Sequence, residues 1–432
     1  MSLRTSVKQS RTNAFPCKGI DPSPVILCAD SVVINAETEL RGGQVRVSGG
    51  KITHVASDLT SRFPDDEPRQ YPGCVLMPGL VNAHTHIEMT LLRGLGRGLV
   101  FPGWIAAITK EIMSRDESFF RESAIAGVEE CLSGGVTSVA DHSTFGVAPA
   151  AIDACAMRAI VYKEVFCPDN DADYEPQFDQ LAAWLAGRSQ ESVRRGWSMH
   201  APYNAAPKPL GIAVDRFKGY PRSIHVSESL DECAYIRDGQ GLFANGHRAR
   251  GLAVQPRNAS PVQYLDQHHY WEQGTLAIHL TRASDDDFVL LNSRSASAVF
   301  CPISNAALGV GVPRIAEARR SGLHSALGTD SALSNERLDM FEEMRCAVLT
   351  SRAIGDPITV SEVFAMATSE GARAVGLADV GQLRVGYWAD IAVVRLDRPS
   401  LEGSIVDQIV WQASSECTAA TWVAGKQVYG VA

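Results

Sequence analysis

The sequence predicts an α/β fold, a (β/α)8 TIM barrel carrying a small β-sandwich built from both chain ends. Three observations lead there. Between residues 74 and 384, strand-like runs alternate with helical ones, the pattern of a closed parallel sheet ringed by helices. Both chain ends, 1–73 and 385–432, hold short strand-like runs punctuated by glycine, and neither is long enough for a robust core alone, so one composite domain is expected. Histidines and acids recur where the central runs end, at the rim where barrel enzymes place their active sites.

In chain order, residues 25–28, 31–35, 43–47 and 51–55 read as strands, with Gly42-Gly43 and Gly49-Gly50 as turns. The barrel opens on an apolar run, Pro78-Gly79-Leu80-Val81-Asn82-Ala83-His84-Thr85-His86. Residues 116–132 place Phe120, Ala124, Val128, Cys131 and Leu132 on one helical face, and Gly134-Gly135 stops that helix. Further strands are expected at 136–142, 159–166, 197–200, 223–226, 275–279, 298–301 and 325–330. Helical connectors fall between most of them, with Phe178, Leu181, Ala182 and Leu185 in register in one, and others at 285–291 and 314–320. Residues 390–394 and 420–429 return to strand character.

The polar residues at the strand ends carry the chemistry. Side chains two apart on a strand share a side, so His84 and His86 can converge on one metal ion. Alone, His-x-His is a weak signal. Yet His200 ends the fourth strand, His225 the fifth, His279 the sixth and Asp330 the eighth. Packing alone gives no reason to gather so many ligand types at one end of different strands. His84, His86, His225 and Asp330 would supply three neutral imidazoles and a carboxylate, a set suited to a divalent ion that lowers a water's pKa toward ~7. Glu228, three residues beyond His225, could act as general acid/base without ligating. His279 is placed to donate to a developing tetrahedral centre.

These residues sit in motifs that resemble the amidohydrolase superfamily, in its cytosine-deaminase/chlorohydrolase-like branch. The marks are residues 78–86, His225-Val-Ser-Glu228, Leu276-Ala-Ile-His279, Cys301-Pro-Ile-Ser-Asn305 and Leu327-Gly-Thr-Asp330-Ser-Ala-Leu-Ser-Asn335, followed by Gly386-Tyr-Trp-Ala-Asp390 and Trp422-Val-Ala-Gly-Lys426. The resemblance covers nearly the whole chain. It implies one zinc or iron ion, zinc ahead of iron, on His84, His86, His225 and Asp330. Glu228 would move a proton to the substrate ring nitrogen, His279 would stabilise the intermediate, and Asp330 would protonate departing ammonia. Within the branch the chain is most similar to deaminases of aminodeoxyfutalosine, S-adenosylhomocysteine or methylthioadenosine, through His86-Ile-Glu88, Trp104, His200-Ala-Pro-Tyr203 and residues 260–266. His200 would then contact substrate, and its place where two-metal relatives carry a modified lysine implies a single metal. Two other readings stay open: a deaminase or chlorohydrolase of a free base or triazine (guanine, cytosine, s-triazine), and a non-catalytic barrel serving as a binding module, although no ligand is missing.

Several polar residues have plainer readings. Trp104 serves either as a pocket wall or as a core aromatic. Glu88 either binds a ribose hydroxyl or caps the helix that follows it. Asp141 and Lys163 read as structural, His268-His269 as surface residues, and Asp285-Asp286-Asp287 as a helix start complementing the macrodipole.

Composition narrows the partners. A net charge of −9 argues against nucleic acid, whose phosphates need a basic surface. The deaminases that act on nucleic acid also require His-x-Glu with Pro-Cys-x-x-Cys, absent here as a set. No apolar run approaches the ~18 residues of a membrane span. Ten cysteines without regular spacing suggest reduced thiols in a cytoplasmic protein. A small-molecule substrate is expected, with room for a homodimer. Residues 1–20 carry four basic and no acidic side chains, and read as a tail ahead of a transit peptide.

Overall fold

A computed structural model describes residues 23–99, 101–170, 172–187, 192–396 and 403–430; the basic segment 1–20 lies outside them. Five strands come first: β1 (Val25–Asn35), β2 (Thr38–Arg41), β3 (Gln44–Ser48), β4 (Lys51–Ala56) and β5 (Glu67–Pro78). The barrel strands follow as β6 (Leu80–Thr85), β7 (Val136–Ser143), β8 (Arg158–Glu164), β9 (Val193–Ser198), β10 (Arg222–Val226), β11 (Leu276–His279), β12 (Ser297–Phe300) and β13 (His324–Leu327). The chain closes with β14 (Ile391–Arg395), β15 (Thr418–Val423) and β16 (Lys426–Gly430).

The strands of the two chain ends join in one mixed sheet, ordered β16-β15-β14-β5-β1-β3-β4 with β2 beside β1. Leu27, Val45, Leu76, Ile391, Val393 and Trp422, drawn from both ends, share its core. Gly49 and Gly50, at φ 57° and 76°, form the two-residue turn between paired Ser48 and Lys51, the left-handed pair that a tight hairpin requires. Two departures from the sequence pattern have simple causes. Residues 25–35 form one strand because a bulge between Ala29 and Ser31 absorbs the polar break. Strand β5 tolerates Pro68 because residues 67–71 pair only with β1, an edge position where a missing N–H is accommodated, and Pro72 falls where the β1–β5 register shifts.

The eight parallel strands β6 to β13 neighbour one another in chain order, and a bridge between Thr85 and Asp330 brings the last back to the first. Strands such as β6, β7 and β10 are buried along their whole length, as expected when both faces are covered. Val81, Ala140, Ile160, Ile278, Val299 and Ala326 pack together from six strands, joined by Ala372 and Val375. The helix Glu117–Ser133 shows the local logic of the outer layer. Asp116 caps it by accepting from the Phe119 N–H, and Phe120, Ala124, Val128, Cys131 and Leu132 are its buried stripe.

Asp390 ties the mixed sheet to the barrel. It pairs with Arg158 of β8 at 2.7 Å and accepts the Ala424 N–H at 2.7 Å, while Arg158 lies over the Trp388 ring. Among the described residues no disulfide forms, and no helix is long and apolar enough to cross a membrane.

Candidate active site

The barrel strands end in backbone that turns sharply out of the sheet. His200 after β9, His279 at the end of β11 and Asp330 after β13 hold φ of 57°, 76° and 59°. Left-handed backbone at non-glycine residues costs roughly 1–2 kcal/mol each and clusters at functional sites. Gly328 lets β13 approach β6 closely: a Cβ there would lie 2.6 Å from the His84 nitrogen. Asn82 fastens the two strand ends, donating to the Thr329 hydroxyl at 2.7 Å and accepting the Thr329 N–H at 3.0 Å.

Four ligand atoms converge on this rim. His84 Nε2 lies 3.3 Å and His86 Nε2 3.6 Å from Asp330 Oδ1, and His86 Nε2 lies 3.3 Å from His225 Nε2. In a tetrahedral site with arms of ~2.05 Å, neighbouring ligand atoms stand about 3.3 Å apart. His84 Nε2 is buried without a hydrogen-bond partner, an expensive state for a polar atom that a metal ion relieves. The residues present therefore fit a divalent ion.

The outward-facing atoms of these ligands are held by the protein. His225 Nδ1–H donates to the His200 carbonyl at 2.7 Å, which directs Nε2 inward. Asp330 Oδ2 has the Ser304 and Ser334 hydroxyls at 2.6 and 3.0 Å, leaving Oδ1 toward the histidines. His84 Nδ1 faces His142 Nδ1 at 3.0 Å. Burial drives the His84 imidazole down and those of His225 and His142 well below their usual range, which favours the uncharged form that ligates. Burial opposes the Asp330 anion, but the contact with His84, then His279 and His86, holds its carboxyl well below the usual range.

Beside the cluster lie the expected acid/base groups. Glu228 is buried, with Oε1 3.7 Å from His279 Nε2. Burial, then the charges of Asp330 and Glu232, push its carboxyl well above the usual range. Glu232 braces the segment by accepting the Ser227 and Glu228 N–H groups at 2.8 and 2.9 Å. Asn305 donates to His279 Nδ1 at 3.0 Å, which leaves Nε2–H directed at the site, and burial lowers the His279 pKa to about 3.

The other expected contacts divide. His200 stands next to the cluster, its ring 5.1 Å from that of His225, and its Nδ1 accepts from Asn204 at 3.0 Å. Trp104, on the helix Phe101–Ile112, packs with Phe101, Leu308, Val310 and Phe243, and Tyr203 stacks on Phe243 at 3.9 Å. Glu88 does not join them. It is fully buried, and its carboxylate accepts from the Ser143 hydroxyl and from the N–H groups of Phe145, Val147 and Ala148 at 3.0, 2.8 and 3.0 Å. A ribose hydroxyl would have to displace one of these donors, so the geometry favours a structural role, and the helix start that Glu88 holds is that of Ala148–Ala154 and not, as the sequence suggests, of the helix that follows it. Glu88→Gln should thus cost ~2–4 kcal/mol of stability by turning an amide toward those donors. A thermal melt should show a lower midpoint with KM unchanged; a raised KM at unaltered stability would restore the substrate role.

Asp141 accepts the Ile87 N–H at 2.8 Å, and Lys163 donates to the Thr144 carbonyl, both structural contacts. His142 and Glu164, unassigned from sequence, instead face the cluster. Glu164 Oε1 is buried without a partner, 4.0 Å from His225 Nδ1. Strand parity was the available signal: if Asp141 and Lys163 point one way, His142 and Glu164 point the other.

Comparison with known proteins places the chain among its relatives. The sequence profile of the Amidohydrolase family matches residues 75–428. A 5-methylthioadenosine/S-adenosylhomocysteine deaminase of Pelotomaculum thermopropionicum is 30% identical over 404 residues, 90% of this chain and 88% of that protein. The enzyme of the same name from Carboxydothermus hydrogenoformans is 31% identical, covering 81% and 79%. An adenosine deaminase structure from Xanthomonas campestris with bound zinc superposes with a TM-score of 0.81 at 26% identity, covering 95% of this chain and 93% of that one.

Proposed function

Because the chain belongs to the amidohydrolase family, we propose that it is a metal-dependent hydrolase that deaminates an aminopurine nucleoside of the methylthioadenosine or S-adenosylhomocysteine class. The observation that carries this reading is the approach of His84 and His86 to Asp330 at 3.3 and 3.6 Å and of His86 to His225 at 3.3 Å, with the Glu228 carboxyl and the His279 imidazole alongside. The reaction exchanges an exocyclic amine for oxygen. Water adds to the amino-bearing ring carbon, the C–N bond breaks, and ammonia leaves.

A divalent ion on the four ligands, zinc in this reading, would bring the attacking water's pKa toward ~7. Glu228, whose carboxyl burial pushes well above its usual range, delivers a proton to the ring nitrogen beside the reacting carbon. His279 turns Nε2–H toward the oxygen on which charge develops. Asp330, ionised, accepts a proton from the attacking water and passes it to the departing ammonia. His200, with Nδ1 occupied by Asn204, offers Nε2–H to a ring acceptor. The apolar cluster of Trp104 and Phe243, linked to His200 through Tyr203, would suit a substituent such as a methylthio group.

An ammonia-release screen of the zinc-loaded protein over nucleosides, free bases and triazines tests this. The fastest release is expected from methylthioadenosine, S-adenosylhomocysteine or a related adenosine. Release confined to guanine, cytosine or triazines would overturn the nucleoside assignment, and none from any of them would overturn hydrolytic deamination.

A further inference from the structure

One buried side chain at the rim has no part in the chemistry above, although it touches a proposed ligand. His142, near the end of β7, is 1% exposed, and its ring stacks on Tyr162 with centroids 5.2 Å apart. Its two nitrogens face one partner each. Nδ1 lies 3.0 Å from His84 Nδ1, and Nε2 lies 2.5 Å from the Ser223 hydroxyl at the start of β10. Three groups from three strands thus form a chain that ends at the metal cradle.

Proton accounting gives that chain a direction. A neutral imidazole carries one N–H. If His84 ligates through Nε2, which faces Asp330, its proton must reside on Nδ1. The group 3.0 Å away must then accept, so His142 is unprotonated at Nδ1 and protonated at Nε2, where Ser223 Oγ receives it. With His84 fully buried, no solvent stands ready to replace the acceptor.

We propose that His142 is a positioning residue that accepts the Nδ1 proton of His84, with Ser223 completing the relay, and so holds His84 in the tautomer that binds metal. This rests on the metal-site reading above. Outer hydrogen bonds to metal-ligating histidines fix ring orientation and raise ligand basicity, and their loss typically weakens metal binding 10–100-fold.

The test is zinc affinity of the full-length, metal-stripped protein, measured by competition with a chromophoric chelator, so that no substrate is needed. His142→Leu, which cannot accept, should bind zinc ~10–100-fold more weakly. His142→Asn, whose Oδ1 can stand near the lost Nδ1, should recover most of the affinity. Ser223→Ala, which removes only the terminal hydroxyl, should weaken binding several-fold. Melting of the metal-free proteins checks that each variant folds. Wild-type affinity in His142→Leu, or an asparagine variant no better than the leucine one, would overturn the relay. If His142→Leu does not fold, Ser223→Ala decides, and unchanged affinity there overturns it too. A wild-type protein that binds no zinc would instead sink the metal-site reading itself, so the two failures are distinguishable.

Discussion

Glu228→Gln is expected to lower kcat/KM for deamination by about 10³-fold while zinc content stays at the wild-type level. Glutamine keeps the size and the buried position but carries no transferable proton. Glu228 is not among the four proposed ligands, and its Oε1 lies 3.7 Å from His279 Nε2. Steady-state ammonia release and elemental analysis of one preparation separate the two effects. Loss of zinc along with activity would mean that Glu228 supports the metal, and near-normal turnover would remove it from the chemistry.

The pH dependence follows from the same carboxyl. Burial first, then the charges of Asp330 and Glu232, raise its folded-state pKa. Deprotonation removes the proton donor, so the wild-type rate should fall as pH rises through that raised value, and the glutamine variant should lack this limb. Stability runs in the same direction. A carboxyl whose pKa is raised by folding contributes stability below its unfolded value, near ~4.3, and loses it as pH rises through the folded one. Glutamine removes that penalty, so the variant should be no less stable than the wild type at neutral pH.

Much of this arrangement was legible in the sequence because barrel geometry converts position along a strand into position in space. His84, His225, His279 and Asp330 occur at the ends of separate apolar runs, and parallel closure brings such ends together. Tertiary partners were less legible. Glu88 reads as an acid next to a metal motif, and only the fold shows that the turn after β7 supplies its donors. His142 and Glu164 went unassigned because each follows a residue that already has a plausible polar role, and pleat parity becomes decisive only once the strand register is known. The Pro68-containing segment resisted assignment for a related reason. Whether proline is tolerated depends on which side of the strand lacks a neighbour, a property of sheet order and not of local composition.

His225→Ala is expected to abolish stoichiometric zinc binding and reduce deamination to background. Three overlapping clusters among the described residues could hold an ion: His84–His225–His279, His84–His86–Asp330 and His86–Glu164–His225. Hydrogen bonding chooses among their members. His279 has Nδ1 taken by Asn305 and directs Nε2 toward Glu228, which suits a donor to substrate. Glu164 has one oxygen bound to the Thr144 hydroxyl, and its other approaches His225 at Nδ1, the nitrogen already committed to the His200 carbonyl. His225 Nε2, by contrast, faces His86 Nε2 at 3.3 Å, a distance two neutral imidazoles can share as ligands of one ion. Removing it takes away a ligand, so affinity should fall well beyond the ~10–100-fold typical of a lost outer hydrogen bond. Ligand binding to the folded state raises the melting midpoint, so added zinc should stabilise the wild type and not the variant. His279→Ala should retain one zinc while losing turnover. Retention of a full equivalent by His225→Ala, or zinc loss from His279→Ala, would move the ion to a different set of these side chains.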